Sequence, residues 1–593
     1  MVKLTLQNFG GEIPRRDPAY LADNNATEAS NLKLTGGTLR PLRGVTEEFT
    51  LPASSWSMYR HKGYWYAYPS RASFVPGPVA GDRLYATMDD GSGGVIAKQV
   101  GAIGGELPLA FSRVVARPAV SATGAVDNDL AEVVKYAFTI VSTLGEETAP
   151  SNLSIGVKFN EGRSITLSGL PLGPMLNGRN IMAKRIYRSQ TSAAGVTDLY
   201  FIAEIGIGAG TDTFTDVWGA NEIQEPCPTK HFAAAPFNIR GLTGMPNGIM
   251  AAYRGRELLF CEPYQPHAWP EEYRLYLDYD IVGMVASGTS LIVLTKGMPY
   301  IVQGLHPDSM AQVKMETILP CVSVDSIVDL GTSAIYASND GLVQINEAGA
   351  QLISQGMWSK DEWDALTPSD IRAGRYGQSY IFSFQTASGS RIGYIVDASD
   401  GTATLTRFSR WLRLFWNDPT TNELFSLAPN GLVINRFDAA GAAAETFQWK
   451  SKLFRFAEPT SFSAIMVEAA QTSAPAQRTD MTVLADDQYA VSLGNVAAAN
   501  VAGKPHQYLV TIPDANFVSQ NTNEAVVTIG AAATEDFTVR LYGDGALVHT
   551  FQRGLNRIQR VPSKAARQWQ VDIRGTVEIM RLAMAQSPEE IWA

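Results

Sequence analysis

Three stretches of the chain repeat one phrase at intervals close to multiples of 45 residues. The first is Gly288-Thr-Ser-Leu291-Ile-Val-Leu294-Thr-Lys-Gly297-Met-Pro-Tyr-Ile-Val302. The second is Gly331-Thr-Ser-Ala-Ile335-Tyr-Ala337-Ser-Asn-Asp-Gly341-Leu-Val-Gln-Ile345. The third is Asn422-Glu-Leu424-Phe-Ser-Leu427-Ala-Pro-Asn-Gly431-Leu-Val-Ile-Asn435. Each runs an apolar strand into a turn that ends in glycine, then starts a second apolar strand. The turn glycines are 44 and 90 residues apart, one and two periods. Hairpins at this spacing are the signature of β-propeller blades, sheets too small to bury their faces until neighbours stack on them.

At 593 residues the chain is too long for one core and predicts several domains. Its 52 glycines and 31 prolines, with Thr, Val and Tyr common in the apolar runs, favour strands joined by tight turns over helices. The net charge of −10 argues against a general DNA-binding surface. It leaves room for a passage, because an acidic or neutral wall lets a polyanion slide without sticking. Cys227, Cys261 and Cys321 show no CxxC spacing, which speaks for reduced thiols and against a disulfide framework or a zinc site. The N-terminus has no apolar core of signal-peptide length, and no window reaches the ~18 apolar residues of a membrane span, so no stable membrane insertion is expected. Asn25-Ala-Thr27 and Asn152-Leu-Ser154 are chance glycosylation matches on this reading.

The chain divides by rhythm. Residues 1–50 read as an extended arm, with Pro14 and Pro18 forbidding a regular helix and Leu21 to Leu34 offering a helical turn and one strand. Residues 51–112 read as the first part of the propeller, with a hairpin turning at His61-Lys-Gly63. Residues 113–235 change character. Tyr136, Phe138 and Ile140 alternate, Gly145-Glu146-Glu147-Thr-Ala-Pro150-Ser151 makes a turn, and Arg185-Ile-Tyr187-Arg188 follows. These phrases resemble fibronectin type III modules and imply an inserted β-sandwich. Blade-like text resumes at Gly248–Phe260, and residues 236–450 supply the main part of the propeller. Ser359 with Glu362 forms a capping-box pattern and predicts a short helix. Residues 451–593 read as a C-terminal β-sandwich, with an exposed loop over the Ala- and Asn-rich 494–502. The fold class is therefore all-β.

Catalytic motifs are not found. The six histidines form no metal-ligating pair, and there is no nucleophile elbow, P-loop or dinucleotide fingerprint. Carboxylates are the one chemistry with many candidates, because propeller glycosidases place paired acids at the central channel. Asp278, Asp280, Asp325, Asp329, Asp340, Asp361 and Asp364 are available, and turn or cap roles account for Asp340 and Asp361. Asp89-Asp90-Gly-Ser-Gly-Gly94 has the acids of a calcium loop without the downstream Glu, so a solvated turn is expected. Trp56, Trp65, Trp411, Trp416 and Trp449 lie beside strand text and read as inter-blade core. No catalytic, cofactor-binding or metal residue is assigned, and the chain is read as a non-enzyme.

Several phrases resemble the virion tail proteins of tailed bacteriophages. They are Gly10-Gly11-x-x-Pro14-Arg15-x-Asp17-Pro18, Asn31-Leu32-x-Leu34-x-x-Gly37-x-Leu39-Arg40-Pro41, Leu294-Thr-Lys-Gly297-x-Pro-Tyr-x-Val-x-Gly304, Cys321-Val-Ser323, Tyr336-Ala-Ser338-x-Asp340-Gly341-Leu342-Val343 and Phe447-x-Trp449-x-Ser451-Lys452. Together they are similar to the nozzle or tail tubular proteins of short-tailed phages. That resemblance implies β-propeller protomers in a homo-oligomeric ring, a hexamer in the family, around the DNA exit channel. It implies a virion protein made in the host cytoplasm, docked to a head–tail adaptor and to tail fibres or other tail parts. Phage DNA would pass through the lumen without sequence-specific binding. The other reading of the residues is a carbohydrate-active or sugar-binding propeller.

Overall fold

The computed structural model describes residues 2–34, 36–79, 83–90, 94–100, 106–176, 178–191, 197–219, 224–385, 391–397, 403–410, 412–470, 481–483, 490–492, 516–518, 525–527, 537–552 and 557–592. The 494–502 loop lies outside them. The protein is all-β: a β-propeller with an inserted fibronectin III-like β-sandwich, and a C-terminal β-sandwich. The chain divides into two compact units, one of residues 47–393 and 410–436, the other of residues 1–46, 394–409 and 437–593.

The first unit holds the propeller. Among the described residues seven strand groups follow one another as blades. Blade 1 is the hairpin Ser57–His61 and Tyr64–Tyr68. Its turn places Lys62 at φ 47° and Gly63 at φ 84°, the doubly left-handed backbone of a two-residue hairpin. Blade 2 runs from Ala72–Pro76 to Leu107–Pro108, blade 3 from Arg240–Gly244 to Leu275–Tyr276, and blade 4 from Ile281–Ser287 to Ala311–Lys314. Blade 5 runs from Val328–Asp329 to Gly349–Leu352, and blade 6 opens with Arg372–Tyr376 and Ser379–Gln385. Blade 7 contains Leu414–Asn417, Leu424–Leu427 and Val433–Arg436, and takes the early strand Thr46–Thr50 as its fourth. The first strand of each blade lies beside the first strand of the next, and that of blade 7 lies beside that of blade 1, so the circle closes.

The repeated phrases are the second and third strands of blades 4, 5 and 7. Their apolar runs are continuous because both faces of a blade are covered. In Ser290–Thr295, Leu291 and Val293 pack with blade 3, while Ile292 and Leu294 pack with blade 5. The 90-residue interval spans blade 6, whose opening strand brings Gly374 so close to blade 7 that a Cβ there would sit 2.3 Å from the Cβ of Phe415. The short helix is Lys360–Ala365, and its box is formed: the Glu362 amide donates to Ser359 Oγ and the Ser359 amide to Glu362 Oε2. Its Trp363 is buried and donates from Nε1 to the Ser338 carbonyl oxygen at 2.9 Å.

The insert packs Ala119–Thr123, Ser164–Ser168 and Phe214–Val217 against Tyr136–Ser142, Arg179–Thr191 and Thr197–Gly206. Tyr136, Phe138 and Ile140 face Ile165 and Leu167 across its core.

The second unit differs from the sequence reading in its makeup. Residues 1–50 are not an arm. Lys3–Leu6 pairs with Ile579–Ala585, and Ala26–Ser30 lies between Thr404–Phe408 and Phe447–Ser451. Over 21–34, where a helical turn and one strand were expected, two strands form, Ala26–Ser30 and Leu32–Lys33, and no helix precedes them. Residues 394–409 and 437–450, read as propeller, also belong here. The cause is one core. Leu4, Leu6 and Phe9 pack with Trp449, Phe462, Trp569 and Ile579, so the C-terminal sandwich is complete only with N-terminal side chains in place.

Candidate functional site

The starts of the innermost strands mark one mouth of the propeller axis, and that mouth is rich in arginine. Arg71 stands just before blade 2, Arg240 opens blade 3, Arg372 opens blade 6 and Arg413 stands just before blade 7. Arg71 grips Asp325, which leads into blade 5, with Nε 3.0 Å from Oδ1 and Nη2 2.6 Å from Oδ2. Blades 3 and 4 lie between these partners in the circle, so the pair spans the axis rather than a neighbour contact. Arg240 holds Asp89 at 2.8 Å. Arg372 and Arg413 each place their guanidinium 4.2 Å from the Trp56 ring, a cation–π arrangement at the start of blade 1. Fork-shaped, permanently charged side chains suit this bidentate and stacked geometry, and lysines would not. The result is a mouth lined by engaged arginines, with one ion pair joining blades on opposite sides of the circle.

Apart from Asp325 and Asp89, which both act on Arg71 at the mouth, the candidate carboxylates lie apart. Asp278 bonds Lys314 at 2.6 Å and Tyr300 at 3.0 Å on the outer part of blade 4. That ammonium bond holds the Asp278 carboxyl below its ordinary value. Asp280 lies between Arg256 and Lys296. Asp329 accepts the Gly331 amide in a turn, Asp340 sits in the turn before Gly341, and Asp361 and Asp364 belong to the short helix. Asp89 is taken by Arg240, and Asp90 accepts the Gly94 amide. Among the described residues no group of three His, Cys, Asp or Glu side chains is placed to hold a metal ion.

The aromatic and sulfur candidates are largely structural. Trp65 packs edge-to-face with both Trp416 and Phe425 between blades 7 and 1, and Trp449 is in the C-terminal sandwich core. Trp56, read as inter-blade core, is instead partly exposed at the mouth. Trp411 lies outside the described residues. All three cysteines are buried free thiols, and burial pushes Cys261 and Cys321 up to about 12, so neither is a ready nucleophile.

One polar constellation went unnoticed in the sequence. The Gly-Glu-Glu turn is the joint between insert and propeller. Glu146 pairs with Arg179 and lies 3.7 Å from Arg83 of blade 2, and Arg179 also donates to the Leu109 carbonyl. Glu147 accepts from Thr139 at 2.6 Å, Tyr187 at 2.7 Å and Arg185 at 2.8 Å. Thr148, Ser151 and Ser154 then receive the amides of Ile140, Phe138 and Tyr136 on their hydroxyls. The phrase is thus a polar substitute for a strand partner, satisfying a buried sheet edge. Its signal was the every-few-residues rhythm of Thr and Ser after paired acids.

No family model and no curated protein matches the sequence. Solved structures overlap it slightly. Virginiamycin B lyase from Staphylococcus aureus aligns at TM-score 0.25 and 9% identity, over 62% of this chain and 98% of its own. The Pan2 WD40 domain of Neurospora crassa aligns at TM-score 0.24 and 7% identity, over 46% and 85%. AztD from Citrobacter koseri aligns at TM-score 0.26 and 11% identity, over 60% and 89%. Overlaps this slight say nothing of what the chain does.

Proposed function

We propose that this chain is a virion structural subunit. Copies of it assemble as a homo-oligomeric ring, six in the family its sequence resembles, to form the nozzle or tube of a short phage tail. The observation that carries the reading is the outer rim of blades 3 and 4. There Tyr276 and Val313, on the outermost strands, are 66% and 57% exposed. Side-chain Nε2 of Gln312 donates to the Tyr276 carbonyl oxygen at 3.3 Å, so the two strands lie side by side at the rim. Large apolar side chains left in water on neighbouring edge strands fit a surface that is covered in an assembly. A head-to-tail contact made through such a rim closes into a ring when its rotation divides the circle.

The Arg71–Asp325 bond across the propeller mouth fits the same reading. DNA would run between subunits, in the ring lumen, and each propeller would serve as a solid block in its wall. The candidate acids of the glycosidase alternative are engaged with partners among the described residues, Asp325 with Arg71 and Asp89 with Arg240, which favours the structural reading. A head–tail adaptor and tail fibres are the further partners on this reading, and the virion is its location. The test is sedimentation velocity of the purified chain beside Tyr276→Asp and Val313→Asp variants. The wild type should sediment as a discrete ring and the variants as folded monomers. Variants that assemble like the wild type would remove the rim from the contact.

A further inference from the structure

We propose that His267 is an acid-released latch on the inserted sandwich. It holds the insert's 144–147 turn against the propeller while its imidazole is neutral, and lets the turn go when the imidazole is protonated. The inference goes beyond the ring assembly and does not depend on it. The latch belongs to the propeller, between the third and outermost strands of blade 3. Three propeller groups grip the turn. Arg83 of blade 2 donates to the Leu144 carbonyl at 3.2 Å and comes within 3.7 Å of Glu146. The Leu109 carbonyl accepts from Arg179, the partner of Glu146. His267 donates from Nε2 to the Glu147 carbonyl oxygen at 2.9 Å. A carbonyl oxygen only accepts, so Nε2 carries a proton in both states of the imidazole.

The two states differ at Nδ1, which is buried and has no hydrogen-bond partner among the described residues. A lone pair there forgoes one bond. An N–H there would add an unpaired donor and a positive charge to the same buried site, at a much larger cost. The packing around it is apolar, with the Phe111 and Phe232 ring centroids 6.3 and 5.9 Å away. The nearby carboxylates are already answered. Glu146 faces Arg179 and Arg83, and Glu147 is held by Thr139, Tyr187 and Arg185. A charged imidazole would be one more cation beside them. Burial holds His267 below its ordinary value of 6.5.

The cation has a place to go. His267 also borders a cavity of about 490 Å3, where both connections between propeller and insert pass. Glu271 and Glu272 stand in the cavity wall with side chains 77% and 48% exposed, opposite the cations Arg113 and Lys230. Glu272 already lies 3.6 Å from His231. A rotation that carries the protonated imidazole toward water and these carboxylates gives up the Glu147 bond, and the turn loses its blade 3 anchor. The sign of the pH effect follows. The open state takes up the proton at 6.5 and the closed state only at lower pH. Closure is therefore full above 6.5 and weakens by about tenfold for each pH unit below it.

The experiment is hydrogen exchange of the full chain at pH 7.5 and pH 5.5, with each rate divided by that of an unstructured peptide. Protection of residues 142–151 should fall about tenfold at the lower pH. The blade 4 strand Ser290–Thr295 should keep its protection at both. His267→Gln retains a donor for the Glu147 carbonyl and does not titrate, so its turn should be equally protected at both values. A matched melting temperature at pH 7.5 shows that this variant is folded. A Glu271→Gln, Glu272→Gln double variant, changed only at exposed side chains, should show a smaller fall than the wild type. Equal protection of the wild-type turn at the two values would overturn the proposal. So would a His267→Gln variant or a double variant that falls as the wild type does, or a loss shared by the blade 4 strand.

Discussion

Glu12 and Arg407 form an ion pair in the C-terminal sandwich, with the buried carboxylate 3.1 Å from Nε and 3.0 Å from Nη2. The other carboxylate oxygen accepts the Ala29 amide at 2.6 Å. Burial outweighs these partners and raises Glu12 from 4.5 to about 7.

The sign of the pH effect follows. A carboxyl raised on folding holds its proton in the native state when the unfolded chain has released it. Stability is therefore full below pH 4.5 and is lost as pH climbs through about 7. The span corresponds to roughly 3 kcal/mol, an upper figure because the pair relaxes. Glu12→Gln keeps the shape and the Ala29 bond without the charge. It should raise the melting temperature at pH 8 by several degrees and barely change it at pH 5. Parallel melts that shift equally at both values would remove the buried charge from the explanation.

The turn glycine of blade 5 gives a second test. Gly341 has φ 144°, and a Cβ there would lie 2.2 Å from Ser354 Oγ, the atom that accepts the Leu342 amide at 2.9 Å. Gly341→Val should cost about 1–3 kcal/mol in strain and a displaced bond. Gly356→Ala, in open space, should be close to neutral. Chemical denaturation of the two variants separates a demand of this turn from a general intolerance of glycine loss.

The joint of the insert makes a third. Removing Arg179 strands Glu146 in the interior, an effect of about 3–5 kcal/mol when no second cation helps. Arg83 at 3.7 Å should soften it. Arg179→Met with Glu146→Gln should be less damaging than Arg179→Met alone. A strictly additive double-mutant cycle would show that the two side chains do not act as a pair.

The parts of this fold that were legible in the sequence are those made by neighbours in the chain. Gly297, Gly341 and Gly431 are separated by blade lengths because each blade is a local meander. Ser359 and Glu362 are three residues apart and predicted their helix. What was hidden depends on distant partners. Lys3–Leu6 finds its neighbour at Ile579–Ala585, and nothing in four alternating residues names a strand that far away. Glu146 and Glu147 read as turn residues because burial, not residue type, makes them structural. Arg71 and Asp325 could not be paired before the blades that carry them were placed in a circle.

If copies assemble as proposed, the lumen of the ring should not grip duplex DNA. The chain has 48 basic and 58 acidic residues, and each phosphate neutralised by Lys or Arg would add salt-dependent binding that stalls passage. A filter-binding titration of the ring with duplex DNA should show weak binding at physiological ionic strength. Tight binding with a steep salt dependence would mean a basic wall.

The most direct measurement is negative-stain imaging of the purified wild-type chain across a concentration series. The account predicts closed rings with an open centre wide enough for duplex DNA and the propellers arranged around it. Isolated monomers at every concentration, with the fold intact by circular dichroism, would contradict it.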